Sequence, residues 1–539
     1  MSTAETIAAI ESADASGDAE WARSLAADAV ARGLSHPLAL RLAADGLRRE
    51  GREDEAIGLL RRALGLQPND IDTLIALAGC LMDLDRRREA LPVFKAALDA
   101  DPSRADAHYG AGECLATMGA VDDAQARFEA ALALGPLHAD AGASLANLHA
   151  RTGNWREGRA RAEAVLVFAP GHATAMAAMA ACEVGEGAFD EAKTRLTFML
   201  EPRGAEPPLT PLLHAAMESL LGEALHGLGR YPQAFDAWRR GNEERRLIHA
   251  GWAMSSEELR YLIGTLTEAF SGVTPQDWRV NPDTGASGAR GHVFLLGYPR
   301  SGTTLLEHIL GAHPKVTALE EGDLLAEAAR RFFGRADGPR SLLSLDDATA
   351  KRFRDAYWRR AREAGAEVEG RVFVDKMPLD TINLPIIAAL FPNAKVLFAR
   401  RDPRDTVLSG FRQVFAPNPA TYAMLALDGA ADLYDAVMRL AEVYRTALPL
   451  DLREVRHERL VEDFESETRG LCDYLGLEWS DAFHDFAANA QARTISTPSA
   501  GQVRRGIYRE TVPTWMRYAD QLAPVLPKLQ PWVDRFGYA

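Results

Sequence analysis

No stretch of this 539-residue chain approaches the run of about 20 apolar residues that a membrane helix needs, so no membrane insertion is expected. The opening MSTAETIAAIESADAS has neither a basic segment nor an apolar core of the kind that directs export, and the expected location is cytoplasmic. Cysteine is scarce. Cys80, Cys114, Cys182 and Cys472 form no Cys-x-x-Cys pair and are scattered over both halves, which reads as buried thiols of a reducing compartment. Positive charge is in deficit as well: 61 Lys and Arg face 76 Asp and Glu, for a net charge of −15. Nucleic acid would be repelled except at a local basic patch and is not an expected partner, so an anionic ligand needs a focused site.

What is present is ordinary globular composition, 47% hydrophobic and 25% charged, in a chain long enough for roughly three or four structural units at about 150 residues each. The prolines supply a period. Pro68, Pro102, Pro136 and Pro170 stand 34 residues apart. Ala56, Ala90, Ala124, Gly158 and Ala192 keep the same step, as do Ala78, Gly112, Ala146 and Ala180, and Gly119, Gly153 and Gly187. Helix pairs pack closely where small side chains meet, a glycine ends the first helix and a proline follows the second. The pattern resembles the tetratricopeptide repeat over roughly residues 35–245. The step from Ala192 to Ala234 is 42 residues, which predicts an insertion of about eight near 201–211, and the segment before 35 is expected to be a partial or capping repeat.

From about Gly291 the period disappears, and short apolar runs alternate with helical patterns: VFLL then TTLLEHIL, RVFV then TINLPIIAALF, KVLFA then PRDTVLSGFRQVF. That is the rhythm of a parallel sheet with covering helices, and its ligand belongs beyond the carboxyl ends of the strands. The first loop nearly matches G-x-x-x-x-G-K-[ST]: Gly297, Gly302 and Thr304 fit, but Thr303 occupies the lysine position and the cation is Arg300. Glycines let backbone N–H groups approach phosphate oxygens, the following helix offers its positive end, and Ser301, Thr303 and Thr304 add hydroxyls. A second cluster, KVLFARRDPRDTVLSGFRQ, brings Arg400, Arg401, Arg404 and Arg412 near one helix start, with Ser409 eight residues after Arg401. It is expected to grip a second phosphate.

These two motifs, in this order and about 100 residues apart, resemble the sulfotransferases that use 3′-phosphoadenosine 5′-phosphosulfate. PRSGTT is similar to their 5′-phosphosulfate site, and the spacing from Arg401 to Ser409 to their 3′-phosphate site. Within that superfamily the likeness is to the tyrosylprotein sulfotransferases and their repeat-bearing bacterial relatives. It is carried by PRSGTTL followed by AHPKVTALEE, by DKMP and by QVRRGIYRETVPTW, over about residues 290–535. The resemblance implies an N-terminal all-α tetratricopeptide-repeat solenoid (1–250), a connecting segment (251–288) and a C-terminal α/β P-loop-like sulfotransferase domain with a central parallel sheet (289–539). It implies donor binding by Arg300, Ser301, Gly302, Thr303, Thr304, Arg401 and Ser409, with Gln502, Val503 and Arg504 from the late segment. Glu321 corresponds to the family's base and Lys376 to its lysine after the third strand; no metal is expected. The chemistry suits those types, since sulfuryl transfer needs a base for the acceptor hydroxyl and a cation at the bridging oxygen of the leaving phosphate.

The chain departs from the family at His457, where tyrosine is common, and at Thr514, which aligns with a substrate-side lysine. The acceptor stays open among peptide tyrosine, a carbohydrate hydroxyl and a small phenol. The solenoid implies a protein or peptide partner. Other readings of the residues are a P-loop phosphotransferase, opposed by Thr303 and by the lack of a magnesium aspartate, and a repeat scaffold with a degenerate enzyme half. Singly, Glu320 and Glu321 also fit an acidic helix start, Lys376 a surface lysine at a strand end, and His313 and His457 packing residues.

Overall fold

The computed structural model describes residues 2–201, 209–279, 288–486 and 513–538. It divides into two compact units, Met1–Arg195 and Leu196–Ala539. The first is all helical. Pairs such as Ile71–Asp83 with Arg87–Ala100, and Ala105–Thr117 with Val121–Leu134, repeat in register with the proline period. Ala56, Ala90, Ala124 and Ala192 are fully buried, and so are Ala78, Ala146 and Ala180. The glycines in those columns are there for closeness: a Cβ on Gly112 would lie 2.6 Å from the Phe128 ring, and one on Gly158 would lie 2.8 Å from Cys182 Sγ. Gly119, Gly153 and Gly187 turn the chain at φ of 80°, 80° and 82°, which side chains with a Cβ resist. Before residue 35 there is a complete pair, Thr3–Ala15 with Ala19–Ala31, and its buried Ala22 extends the first small-residue column by one more step of 34.

In the second unit, helices Pro211–Gly227 and Tyr231–Ile248 continue the repeat pattern in sequence, with Ala234 fully buried, yet they pack on the helix Pro403–Arg412. Asn242 Nδ2 donates to Phe411 O at 2.7 Å, Phe235 stacks on Phe411 at 5.0 Å, and Glu223 takes both Nε and a terminal nitrogen of Arg412 at 3.1 and 2.6 Å. The segment expected to be a connector contains the helix Ala253–Phe270, and the chain after it is pinned by Trp278, whose Nε1 donates to Ala447 O at 2.7 Å.

The sheet is entirely parallel: β1 (Gly291–Gly297), β2 (Val316–Glu320), β3 (Val372–Lys376), β4 (Lys395–Arg400) and β5 (Asp451–Arg456), in the order β2-β3-β1-β4-β5. The three strands read from the sequence as apolar runs are the three inner ones, covered on both faces and almost entirely buried. From β1 the chain goes to one edge and from β4 to the other, so the crevice beyond their carboxyl ends is the switch point where such sheets bind ligands.

Candidate functional site

At the end of β1 the backbone is forced. Gly297 lies at φ 152°, and a Cβ there would come within 2.6 Å of Ala399 O on β4 and 2.8 Å of Ser301 Oγ. Arg300 adopts φ 72°, a left-handed conformation that costs a residue with a Cβ of order 1 kcal/mol or more, and Gly302 caps the helix Thr303–Gly311 at φ 98°. Ser301, Thr303 and Thr304 are buried, and Ser301 Oγ has no hydrogen-bond partner among the described residues. A polar cradle at a helix N-terminus, with an unsatisfied hydroxyl inside it, is chemically suited to an anion.

The second motif meets the first here. Arg300 Nε donates to Ser409 Oγ at 2.9 Å, joining the loop after β1 to the helix after β4. Burial, and then the nearby Arg401 and Arg412 charges, push the Arg300 guanidinium down to about 9, against the counter-pull of Glu223. Arg300 and Arg401 thus place two cations side by side at the cradle, with Arg412 behind them held by Glu223, an arrangement suited to an anionic ligand. The rest of the arginine cluster is committed to the fold. Arg400 pairs with Glu454 on β5 at 2.8 Å. Arg404 pairs with Asp402 at 2.7 Å and lies 3.9 Å from the Trp515 ring centre, and Arg412 holds Glu223. Arg401 has only Asp405, at 3.7 Å, among the described residues. Of the four arginines, geometry leaves Arg401 the most available.

Glu321 and Lys376, the pair expected to be catalytic, also meet. Glu320 ends β2 opposite Lys376 on β3, and Glu321 follows at φ 43°. Its N–H donates to Lys376 O at 2.9 Å, and Lys376 Nζ donates to Glu321 Oε1 at 2.9 Å. Lys376 is 0% exposed, so it is no surface lysine, and the next helix begins only at Ala326, so Glu320 and Glu321 are not an acidic helix start. Two further carboxylates surround the ammonium: Glu307 at 3.3 Å and Glu320 at 3.8 Å. Burial pulls Lys376 down, but Glu307, Glu321 and Glu320 together hold it above its ordinary value. Burial, opposed by Lys376 and reinforced by Glu320 and Glu321, pushes the Glu307 carboxyl up to about 7.

Sequence reasoning missed Glu307. Its signal was a charged residue four positions after Thr303, on the buried side of the otherwise apolar helix TTLLEHIL. That helix therefore carries the anion cradle at one end and a wall of the lysine pocket at its second turn.

Comparison with known proteins matches residues 292–481 to the family described as Sulfotransferase family, and residues 47–91 and 85–148 to Tetratricopeptide repeat. This chain carries a sulfotransferase-family domain after a tetratricopeptide-repeat region. It is 29% identical over 339 residues to an uncharacterized protein of Aquifex aeolicus, covering 60% of this chain and 42% of that one. It is 28% identical to Nodulation protein NoeE of Sinorhizobium fredii, covering 41% of this chain and 59% of that one. It is 25% identical to Protein-tyrosine sulfotransferase 2 of Gallus gallus, covering 46% of this chain and 69% of that one. The chain thus spans between two fifths and three fifths of the length of the first two relatives.

Around the sulfotransferase-family site, His313 is structural: its Nε2 contacts Glu478 O at 3.0 Å and its Nδ1 accepts from Lys315 N–H at 3.1 Å. Thr514 is buried at the start of the short turn Thr514–Tyr518, where Trp515 N–H donates to Asp405 Oδ1 at 2.7 Å. Gln502, Val503 and Arg504 lie outside the described residues. Among the described residues no cluster of three or more His, Cys, Asp or Glu is arranged to hold a metal, and no helix is long and apolar enough to cross a membrane.

Proposed function

We propose that the chain transfers the sulfuryl group of 3′-phosphoadenosine 5′-phosphosulfate to a hydroxyl acceptor. The observation that carries this reading is the pairing of two sites on one sheet. The lysine-free cradle and the Arg401/Ser409 cluster join through Arg300 and Ser409, and the Glu321–Lys376 pair stands on the same carboxyl edge at the ends of β2 and β3, β3 being the neighbour of β1. Such a donor presents two anionic ends, and the cradle residues Arg300, Ser301, Gly302, Thr303 and Thr304 suit the phosphosulfate while Arg401 and Ser409 suit the other phosphate.

In the reaction the acceptor oxygen forms a bond to sulfur as the bond from sulfur to the phosphate oxygen breaks. The hydroxyl proton passes to the Glu321 carboxylate, and Lys376 stabilises the charge left on the departing phosphate oxygen. In the resting pair each partner masks the other. When Lys376 turns to the leaving oxygen it releases Glu321 Oε1 to accept a proton, while Glu307 and Glu320 keep the ammonium charged.

The acceptor we propose is tyrosine on a protein, a reading supported by the relatives named protein-tyrosine sulfotransferases. The repeat region, assigned functionally to 1–250 with 251–288 as connector and 289–539 as the transferase, recruits that acceptor or a protein that delivers it, acting in the cytoplasm. The test is incubation with sulfur-labelled donor and a lysate of the host organism, followed by identification of the labelled species. Label on tyrosine supports the full reading, and label on sugar or a small phenol overturns the tyrosine part alone. If no label is transferred while 3′-phosphoadenosine 5′-phosphate fails to bind, the whole reading is overturned.

A further inference from the structure

One ring inside the cradle has no role so far. His457 opens the short helix His457–Glu462 after β5, and the ring leans on the loop: a Cβ added to Gly302 would lie 2.6 Å from its Nδ1. Nδ1 is buried and has no hydrogen-bond partner among the described residues. A buried ring nitrogen with nothing to bond costs on the order of 1–3 kcal/mol, so its persistence beside Gly302 calls for an explanation.

The charged groups facing the ring are Arg401 from the end of β4 and Arg300 from the loop after β1. Asp405 stands 3.7 Å from Arg401. On the ring's own helix, Glu458 is engaged elsewhere, accepting from Asp402 N–H at 2.9 Å and from Tyr538 Oη at 2.8 Å, with Arg456 3.5 Å away. Burial, then Arg401 and Arg300, push the imidazole down to about 3, so in the free protein it is neutral.

Resting on the sulfotransferase reading, we propose that His457 is a proton-coupled ligand of the donor: it takes one proton from solvent when the nucleotide binds and, as imidazolium, donates from Nδ1 to a phosphate oxygen at the head of the helix Thr303–Gly311. Burial is the first cause of the ring's neutrality, and the two arginines that add to it are the groups whose charge the ligand cancels. A bisphosphate nucleotide brings several negative charges to the site, reversing the local field from one that repels a third cation to one that attracts it. Donor affinity then falls as pH rises, because the proton becomes harder to supply. A phenol at this position could donate a hydrogen bond without titrating, so the pH dependence belongs to the histidine.

The test is calorimetry of 3′-phosphoadenosine 5′-phosphate binding to the full chain, in buffers of different ionisation enthalpy, at several values from about pH 6.5 to about pH 8, spanning the range above the second phosphate pKa near 6. Wild type, His457→Gln and His457→Tyr are compared, so proton release from the ligand itself cancels. The expected result is a proton uptake by wild type that exceeds that of both variants and grows as pH falls, with His457→Tyr still binding the nucleotide. Equal proton counts in wild type and the variants overturn the inference while leaving the sulfotransferase reading intact. Wild-type protein that does not bind the nucleotide at all overturns both.

Discussion

Lys376 holds Glu321 at both of its ends: the backbone N–H of Glu321 donates to Lys376 O, and the side-chain ammonium donates to Glu321 Oε1, each at 2.9 Å. The first bond continues the ladder between β2 and β3 one residue past the strand, and the φ of 43° then turns the carboxylate back over the end of β3. Backbone register therefore aims the carboxylate, and this makes Glu321 different in kind from its neighbour.

Glu321→Gln should leave donor binding nearly unchanged and reduce turnover about 10²–10⁴-fold, the range for losing a general base. Glutamine keeps the carbonyl oxygen that Lys376 contacts but cannot take the acceptor proton. Glu320→Gln is the control, because that residue ends the strand and stands 3.8 Å from the ammonium. Single-turnover transfer by both variants checks the assignment; a larger loss at Glu320 reverses it.

Lys376→Met should both abolish transfer and destabilise the fold, by about 3–5 kcal/mol, because it leaves the Glu307 carboxyl buried without its cation. Adding Glu307→Gln should return most of that stability and none of the activity. Urea titrations of the two singles and the double separate the roles; an additive double would show that the two side chains do not depend on each other.

Arg401→Ala should weaken nucleotide binding about tenfold to a hundredfold, corresponding to about 1.5–3 kcal/mol for a charge-assisted phosphate contact. Arg404→Ala should instead show mainly as lost stability, since Arg404 is bound to Asp402 and stacked on Trp515. Calorimetric affinities and melting temperatures of the pair distinguish ligand from brace.

The repeat columns and the three inner strands were legible because each rests on a local rule. Small residues at a step of 34 must face one another, and runs such as VFLL and KVLFA have nowhere to go but a buried sheet. The edge strands β2 and β5 were not read as strands, because VTALE and DLREVR carry polar residues on a half-covered strand. In the candidate site, motifs single out Arg300, Arg401 and Ser409, and the fold brings Arg300 Nε to Ser409 Oγ at 2.9 Å. Glu307 and Glu223 were not, because their partners, Lys376 and Arg412, lie 69 and 189 residues away in sequence and only the fold brings them together. The same holds for the helices Pro211–Gly227 and Tyr231–Ile248: their sequence continues the repeat, but Asn242 and Phe235 bind them to Phe411.

Glu307 also gives stability a pH dependence with a defined sign. Its carboxyl stands at about 7 in the folded protein against an ordinary value of 4.5, so the folded state binds that proton more tightly than the unfolded state does. The resulting stabilisation is complete below about pH 4.5 and is lost as pH rises through about 7, at up to about 1.4 kcal/mol for each unit of separation. Glu307→Gln removes the titration but keeps the side chain's volume, and Glu321 and Glu320 remain to balance Lys376. Between about pH 5 and pH 8 wild type should therefore lose about 1–3 kcal/mol relative to Glu307→Gln, with contributions from titrating groups away from the Lys376 pocket cancelling in the difference. Urea unfolding of both proteins at the two pH values measures it. Parallel pH profiles would mean that Glu307 is already ionised at the lower pH, held by Lys376 more strongly than burial opposes it.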